Sequence, residues 1–85
     1  MHFQAKIYVT LKDSVLDPQG KTVAHALHAL HYENVTDVRI GKYMEVRLVA
    51  DSTTHAKDLV GGMCNELLTN PVIEKYSFDL VEVDS

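Results

Sequence analysis

Residues 35–50 read VTDVRIGKYMEVRLVA, and the order of strands in this chain turns on them. Val38 and Ile40 share one parity with Met44, Val46 and Leu48, while Asp37, Arg39, Glu45 and Arg47 take the other. That is a period of two, the mark of strands with one buried face. Gly41-Lys42 breaks the run and reads as a hairpin turn. A two-residue loop would set Ile40 against Tyr43 and Val38 against Glu45, mixing core with charge. A three-residue loop, Gly41-Lys42-Tyr43, sets Ile40 against Met44 and Val38 against Val46. A slip of one residue inverts both faces, so the longer loop or an equivalent bulge is expected.

The flanking segments complete the pattern. Phe3, Ala5, Ile7, Val9 and Leu11 alternate with polar residues and Tyr8, which predicts an opening strand. Asp17-Pro18 is a helix start: Asp17 supplies an N-cap acceptor, and Pro18 gives up a donor that the first turn cannot use. The first helix is expected from about Pro18 to about His31, with Val23, Ala26, Leu27 and Leu30 on one stripe. Asp51-Ser52-Thr53-Thr54 caps a second helix, from about Thr54 to about Thr69. Its apolar residues, Ala56, Leu59, Val60, Met63, Cys64, Leu67 and Leu68, span an arc of about 180°, wider than the ~100° one sheet requires. Gly61 and Gly62 interrupt it, and Asn70-Pro71 ends it. A last strand, about Glu74 to Val83, alternates Tyr76, Phe78 and Leu80 with Ser77, Asp79, Val81 and Val83.

The order βαββαβ predicts an α+β two-layer sandwich. Its four-stranded, mainly antiparallel sheet would carry both helices on one face, with a ferredoxin-like strand order as the default. Residues 1–85 form a single domain in this scheme. The other sheet face would carry Tyr8, Thr10, Arg39, Arg47, Val49, Val81 and Val83, too apolar for plain solvent, so self-association through it is expected.

Composition narrows the function. The 85 residues carry twelve acidic and eight basic side chains, a net charge of −4, which disfavours a nucleic-acid binder. No apolar run is long enough to span a membrane, and no apolar stretch after Met1 suggests a secretory signal. A single cysteine suits a reducing cytoplasm. A chain of this length buries only about 60–65% of its unfolded surface, so a thin core and some external support are expected.

Chemistry-bearing constellations are sparse. His25 and His28, three apart on the first helix, could share an ion, but zinc needs three or four ligands, and His2, His31 and His55 fall on other elements. Cys64 lies among Val60, Met63, Leu67 and Leu68, which predicts a buried, inert thiol. Ser14, Ser52 and Ser77 lack a nucleophile-elbow pattern. Gly20, Gly41, Gly61 and Gly62 make neither GxGxxG nor GxxxxGK[ST]. The expectation is no catalytic, cofactor-binding or metal-binding residue. The candidate partner contacts are Asp17 and Pro18 at the helix start and Gly41, Lys42 and Tyr43 at the hairpin tip.

Three stretches carry a resemblance. Tyr8-Val9-Thr10-Leu11-Lys12 with Val15-Leu16-Asp17-Pro18-Gln19-Gly20-Lys21, then Asp37 to Glu45, then Met63-Cys64 with Leu67-Leu68 and Asn70-Pro71-Val72-Ile73-Glu74 resemble the PurS family. That family is the small subunit of phosphoribosylformylglycinamidine (FGAM) synthase. The resemblance covers nearly the whole chain, in order. It implies a non-catalytic subunit of a purine-biosynthetic ligase, which converts formylglycinamide ribonucleotide (FGAR) to FGAM with ATP and glutamine. The expected partners are the large synthetase subunit PurL, the glutaminase subunit PurQ and further copies of this chain, as dimer or tetramer. The resemblance also implies help in passing ammonia between the large subunits. ATP and Mg are expected in the synthetase partner and no cofactor in this subunit, all in the cytoplasm. The family typically has glycine where His31 stands, at a position suited to a left-handed helix cap. Gly61-Gly62 departs from the helix formers usual there. The alternative from the fold alone is a dimeric amino-acid-binding regulatory module. A stand-alone acylphosphatase lacks its arginine-bearing phosphate loop here.

Overall fold

The computed structural model describes residues 1–84. Three strands, β1 (His2–Leu11), β2 (Gly41–Val49) and β3 (Glu74–Val83), form one antiparallel sheet in the order β2-β1-β3. Helix α1 spans Pro18–Ala29 and α2 spans Thr53–Met63, continued by a π-helical turn over Cys64–Leu68. The fold is α+β, as the alternation of patterns implies. Among the described residues it has three strands rather than the four expected, and the hairpin at Gly41 does not form.

Residues 35–40 lie outside the sheet, and the chain runs from Ile40 straight into β2. Two backbone facts explain why the period of two misleads here. The N–H of Ile40 donates to Asp17 Oδ2 at 2.8 Å, so this part of the segment is tied to the start of α1. Gly41, meant for a turn, pairs with Thr10 in the ladder, and a Cβ there would collide with the carbonyl oxygen of Val9. Its glycine serves close strand approach, not chain reversal.

The core lies between the sheet and α2. Phe3, Ala5, Ile7 and Val9 of the central strand are at most 1% exposed, and Ala56, Val60 and Cys64 meet them from the helix. Ile7 stands between Met44 and Phe78, and Ala5 between Val46 and Leu80, so same-face apolar residues line up across all three strands. The wide apolar arc of the second helix divides accordingly. Ala56, Val60 and Cys64 are buried, whereas Leu67 is 82% exposed. Gly61 and Gly62 face open space.

The second correction concerns α1. Both helices were expected on one face, yet only α2 packs there; α1 stands clear of the sheet and buries only Gly20. With residues 31–40 running back beside it, α1 makes an arm. The radius of gyration is 16.6 Å, and the principal extents are 51 × 28 × 14 Å. A compact chain of this length would have a radius near 12 Å.

Both helices are well specified locally. Ser52 caps α2 by accepting the His55 N–H at 3.1 Å. At the far end of α1, the Tyr32 N–H donates to the Leu27 carbonyl and the His31 N–H to that of His28, each at 3.0 Å. This is a Schellman close, and His31 takes the left-handed conformation at φ 74° that the sequence position suggested. After the π-turn, the Thr69 hydroxyl donates to the Cys64 carbonyl at 2.7 Å, and Asn70 starts the turn into β3. Among the described residues no helix is long and apolar enough to cross a membrane.

Candidate assembly surface

The root of the arm brings together most of the residues picked from the sequence. Asp17 is 5% exposed, and both its oxygens are engaged. Oδ1 accepts the Gly20 N–H at 2.9 Å, the N-cap bond, and Oδ2 accepts that of Ile40. These N–H groups, Ile40 first and Gly20 second, hold the Asp17 carboxyl below the usual range, with Arg39 adding to the effect. One carboxylate therefore clamps the start of α1 to the end of the returning segment. Gly20 is obligatory at this crossing, because a Cβ there would collide with the carbonyl oxygen of Val38.

Arg39, expected on the outer sheet face, instead turns its guanidinium to the loop after β1. Its Nη2 donates to the carbonyls of Lys12 at 2.9 Å and Val15 at 3.2 Å. Pro18, Gly41 and Lys42 line an open cleft of about 560 Å³ beside Asp17, together with Ile40 and Glu74. Lys42 reaches across to Glu74 at 3.4 Å. A hydrogen bond from the backbone of Asn70, then the Lys42 charge, lowers the Glu74 carboxyl from its usual range. Four of the five candidate contacts thus share one cleft. None of them is at a hairpin tip.

Tyr43 belongs to the other side of the sheet. Its ring lies 5.3 Å from that of Tyr8, tilted by 40°, and its hydroxyl donates to Glu45 Oε2 at 3.1 Å. Partial desolvation, then the Glu45 bond, raises the phenol above its ordinary range. Toward the other end of the same outer face, Val49 opposite His2 is 64% exposed and Val81 opposite Gln4 is 46% exposed. A further apolar edge, Leu67 with Val72, is exposed near the exit of α2.

His28 and the Cys64 thiol are structural groups. His28 Nε2 donates to the Val35 carbonyl at 2.8 Å, tying α1 to the returning segment. Among the described residues no group of three or more His, Cys, Asp or Glu could hold a metal ion. Cys64 is buried, and burial pushes its thiol up, away from the reactive thiolate. Sequence reasoning missed Ile40, Glu74 and the anchoring role of Arg39. The one available hint was the second oxygen of Asp17, since an N-cap uses only one.

A buried clamp, an open cleft and several uncovered apolar strips describe a small α+β protein. The model of the PurS family, described as phosphoribosylformylglycinamidine (FGAM) synthase, matches residues 4–82. The PurS subunit of that synthase from Bacillus subtilis is 52% identical over 81 residues, 95% of each chain. Among solved structures, Methanocaldococcus jannaschii PurS superposes with a TM-score of 0.84 at 32% identity, covering 96% of this chain and 99% of that one. A chain of the Thermotoga maritima PurLQS structure superposes with a TM-score of 0.87 at 31% identity, covering 95% and 99%. This chain belongs to the PurS family of FGAM synthase subunits.

Proposed function

We propose that this chain is the non-catalytic small subunit that joins the synthetase PurL to the glutaminase PurQ in FGAM synthase, and that it does so as a homo-oligomer. The observation that carries the proposal is the end-to-end likeness to a chain of the Thermotoga maritima PurLQS structure, at a TM-score of 0.87. The cleft at the arm root and the exposed apolar strips supply docking surfaces suited to such a role. The reaction converts FGAR to FGAM in purine biosynthesis, with glutamine as nitrogen donor and ATP hydrolysed. ATP and Mg belong to the synthetase partner in this scheme, and the assembly works in the cytoplasm.

The physical advantage is positional. Ammonia released into neutral water is protonated and loses its nucleophilic lone pair. A subunit that holds two active sites together keeps the ammonia unprotonated between them, a gain in effective concentration and not in bond chemistry. The test mixes this chain with PurL, PurQ, glutamine and ADP on a sizing column, then measures glutamine-dependent FGAM formation. A ternary complex and activity that falls when this chain is omitted are expected. Equal glutamine-dependent activity without it would overturn the proposal.

A further inference from the structure

The sheet has a bare edge at β3. Its register with β1 runs from Glu74 to Val83 without a bulge, and the strand contains no proline. The ladder fixes which of its backbone groups are free. The Lys12 N–H donates to the Ile73 carbonyl at 2.8 Å, one place beyond the Leu11–Glu74 pair. Hydrogen-bonded partners recur at every second residue of an antiparallel pair, so Lys75, Ser77, Asp79, Val81 and Val83 bond to β1. Tyr76, Phe78, Leu80 and Glu82 therefore aim their N–H and carbonyl groups away from the sheet. Among the described residues no strand lies beyond them. Natural edges of this length are usually blunted by proline, lysine, a bulge or a covering loop. Along residues 76–81 the one charge is Asp79.

The side chains at the outward-bonding positions are mostly apolar. The rings of Tyr76 and Phe78 stack with centroids 6.4 Å apart, 10° from parallel, and with Leu80 they rim the core on the helix-bearing face, half-buried. On the other face Lys6 stands between Glu45 and Asp79, one base for two acids. The exposed Asp79 charge is thus only half answered within the chain.

We propose that an extended, cationic and apolar segment of a partner protein adds alongside β3. Its backbone pairs with Tyr76, Phe78 and Leu80, and its apolar residues, at every second position, lie against those three side chains. A lysine or arginine of the segment stands opposite Asp79. The inference deepens the joining role proposed above and rests on it.

A second copy of this chain fits the edge poorly. Antiparallel self-pairing centred on Phe78 sets Glu74 against Glu82, and centred on Asp79 it sets that acid against its copy. Centred on Ser77 it sets Leu80 against Glu74, and centred on Leu80 it sets Phe78 against Glu82. Each of these registers opposes acid to acid or acid to an apolar side chain.

The test is hydrogen exchange of the full chain, alone and with PurL and PurQ added separately and together, the label being read residue by residue after quenching. In the free chain the Ser77, Asp79 and Val81 amides should be protected, and those of Tyr76, Phe78, Leu80 and Glu82 should exchange freely. The subunit that carries the segment should slow the second set about tenfold or more. Asp79→Lys should weaken that complex about fivefold and leave the chain's own sedimentation and urea midpoint unchanged. An Asp79→Lys complex as tight as the wild type would overturn the charged contact. A complex that forms while the outward amides still exchange freely would overturn strand addition and leave the joining role standing. Outward amides slowed by raising the concentration of the chain alone would assign the edge to a second copy and overturn it as well. No complex with either subunit would overturn both.

Discussion

The central strand and the arm are two regions with equally clear sequence patterns and opposite fates. β1 alternates, and its Phe3, Ala5, Ile7 and Val9 are at most 1% exposed between β2, β3 and α2. The arm also alternates, at Val38 and Ile40, and α1 has a well-formed apolar stripe, yet α1 buries only one glycine. Pattern marks which side of a segment wants burial. It does not say which molecule provides it. The difference gives the two regions separable energetics: the sheet and α2 hold one another, while the arm is held by a few polar contacts at its root.

Breaking the core side of that comparison should have the largest effect. Ile7→Ala removes a side chain with no exposed surface from between Met44 and Phe78. The expected loss is about 2–5 kcal/mol, read from the urea midpoint. A domain of this size has a total stability of roughly 4–13 kcal/mol, so a large share of it would be lost. Breaking the arm root comes next. Gly20→Ala forces a Cβ onto the Val38 carbonyl and should part α1 from the returning segment. Hydrogen exchange should then show lost protection at Gly20 and Ile40, with β1 amides unchanged.

Acid offers a gentler way to loosen the same root. The Asp17 carboxyl is lowered in the folded chain, so between its folded and unfolded values the unfolded state binds more protons. Stability from this group is therefore full above the ordinary carboxylate range and lost as pH falls through the folded value. Asp17→Asn should flatten that part of the acid limb, roughly between pH 5 and 2, in urea midpoints measured across pH. The contributions of Asp13 and Glu74, lowered by Lys75 and by the Asn70 backbone respectively, should remain. An acid limb identical to wild type would contradict the clamp.

The smallest effects lie at helix backbone positions. His31→Gly relieves a left-handed residue with φ 74° and should stabilise by a few tenths to about 1 kcal/mol. Gly62→Ala has open space for its Cβ in α2 and should raise the urea midpoint by up to about 1 kcal/mol of stability. Neither should alter the oligomeric state.

Much of this was legible in the residues, for identifiable reasons. Local chemistry was readable where one residue fixes it, Asp17 as cap and Pro18 as first helical residue; the second cap was placed only within Asp51–Thr54, and the left-handed close at His31 came from the glycine of the resembled family. Core membership was readable in β1, because strict alternation between polar neighbours has one interpretation. The fourth strand was misread because Val38 and Ile40 alternate as strand residues do while Asp17 takes the Ile40 N–H. The position of α1 was misread because a helical stripe demands burial without naming its cover. At the surface, four of the five chosen contacts do line one cleft. Tyr43 falls on the opposite face, since its place in a strand fixes its side by parity.

The contrast between the two regions can be measured at a single set of amides. Hydrogen exchange of α1, from Val23 to Leu30, should be followed from nanomolar to high micromolar chain concentration beside that of Ala5 to Val9 in β1. The account predicts that α1 protection rises at least tenfold with concentration, while β1 protection, owed mainly to the chain's own sheet, changes far less. Protection in α1 that is already high in the dilute monomer and independent of concentration would contradict it.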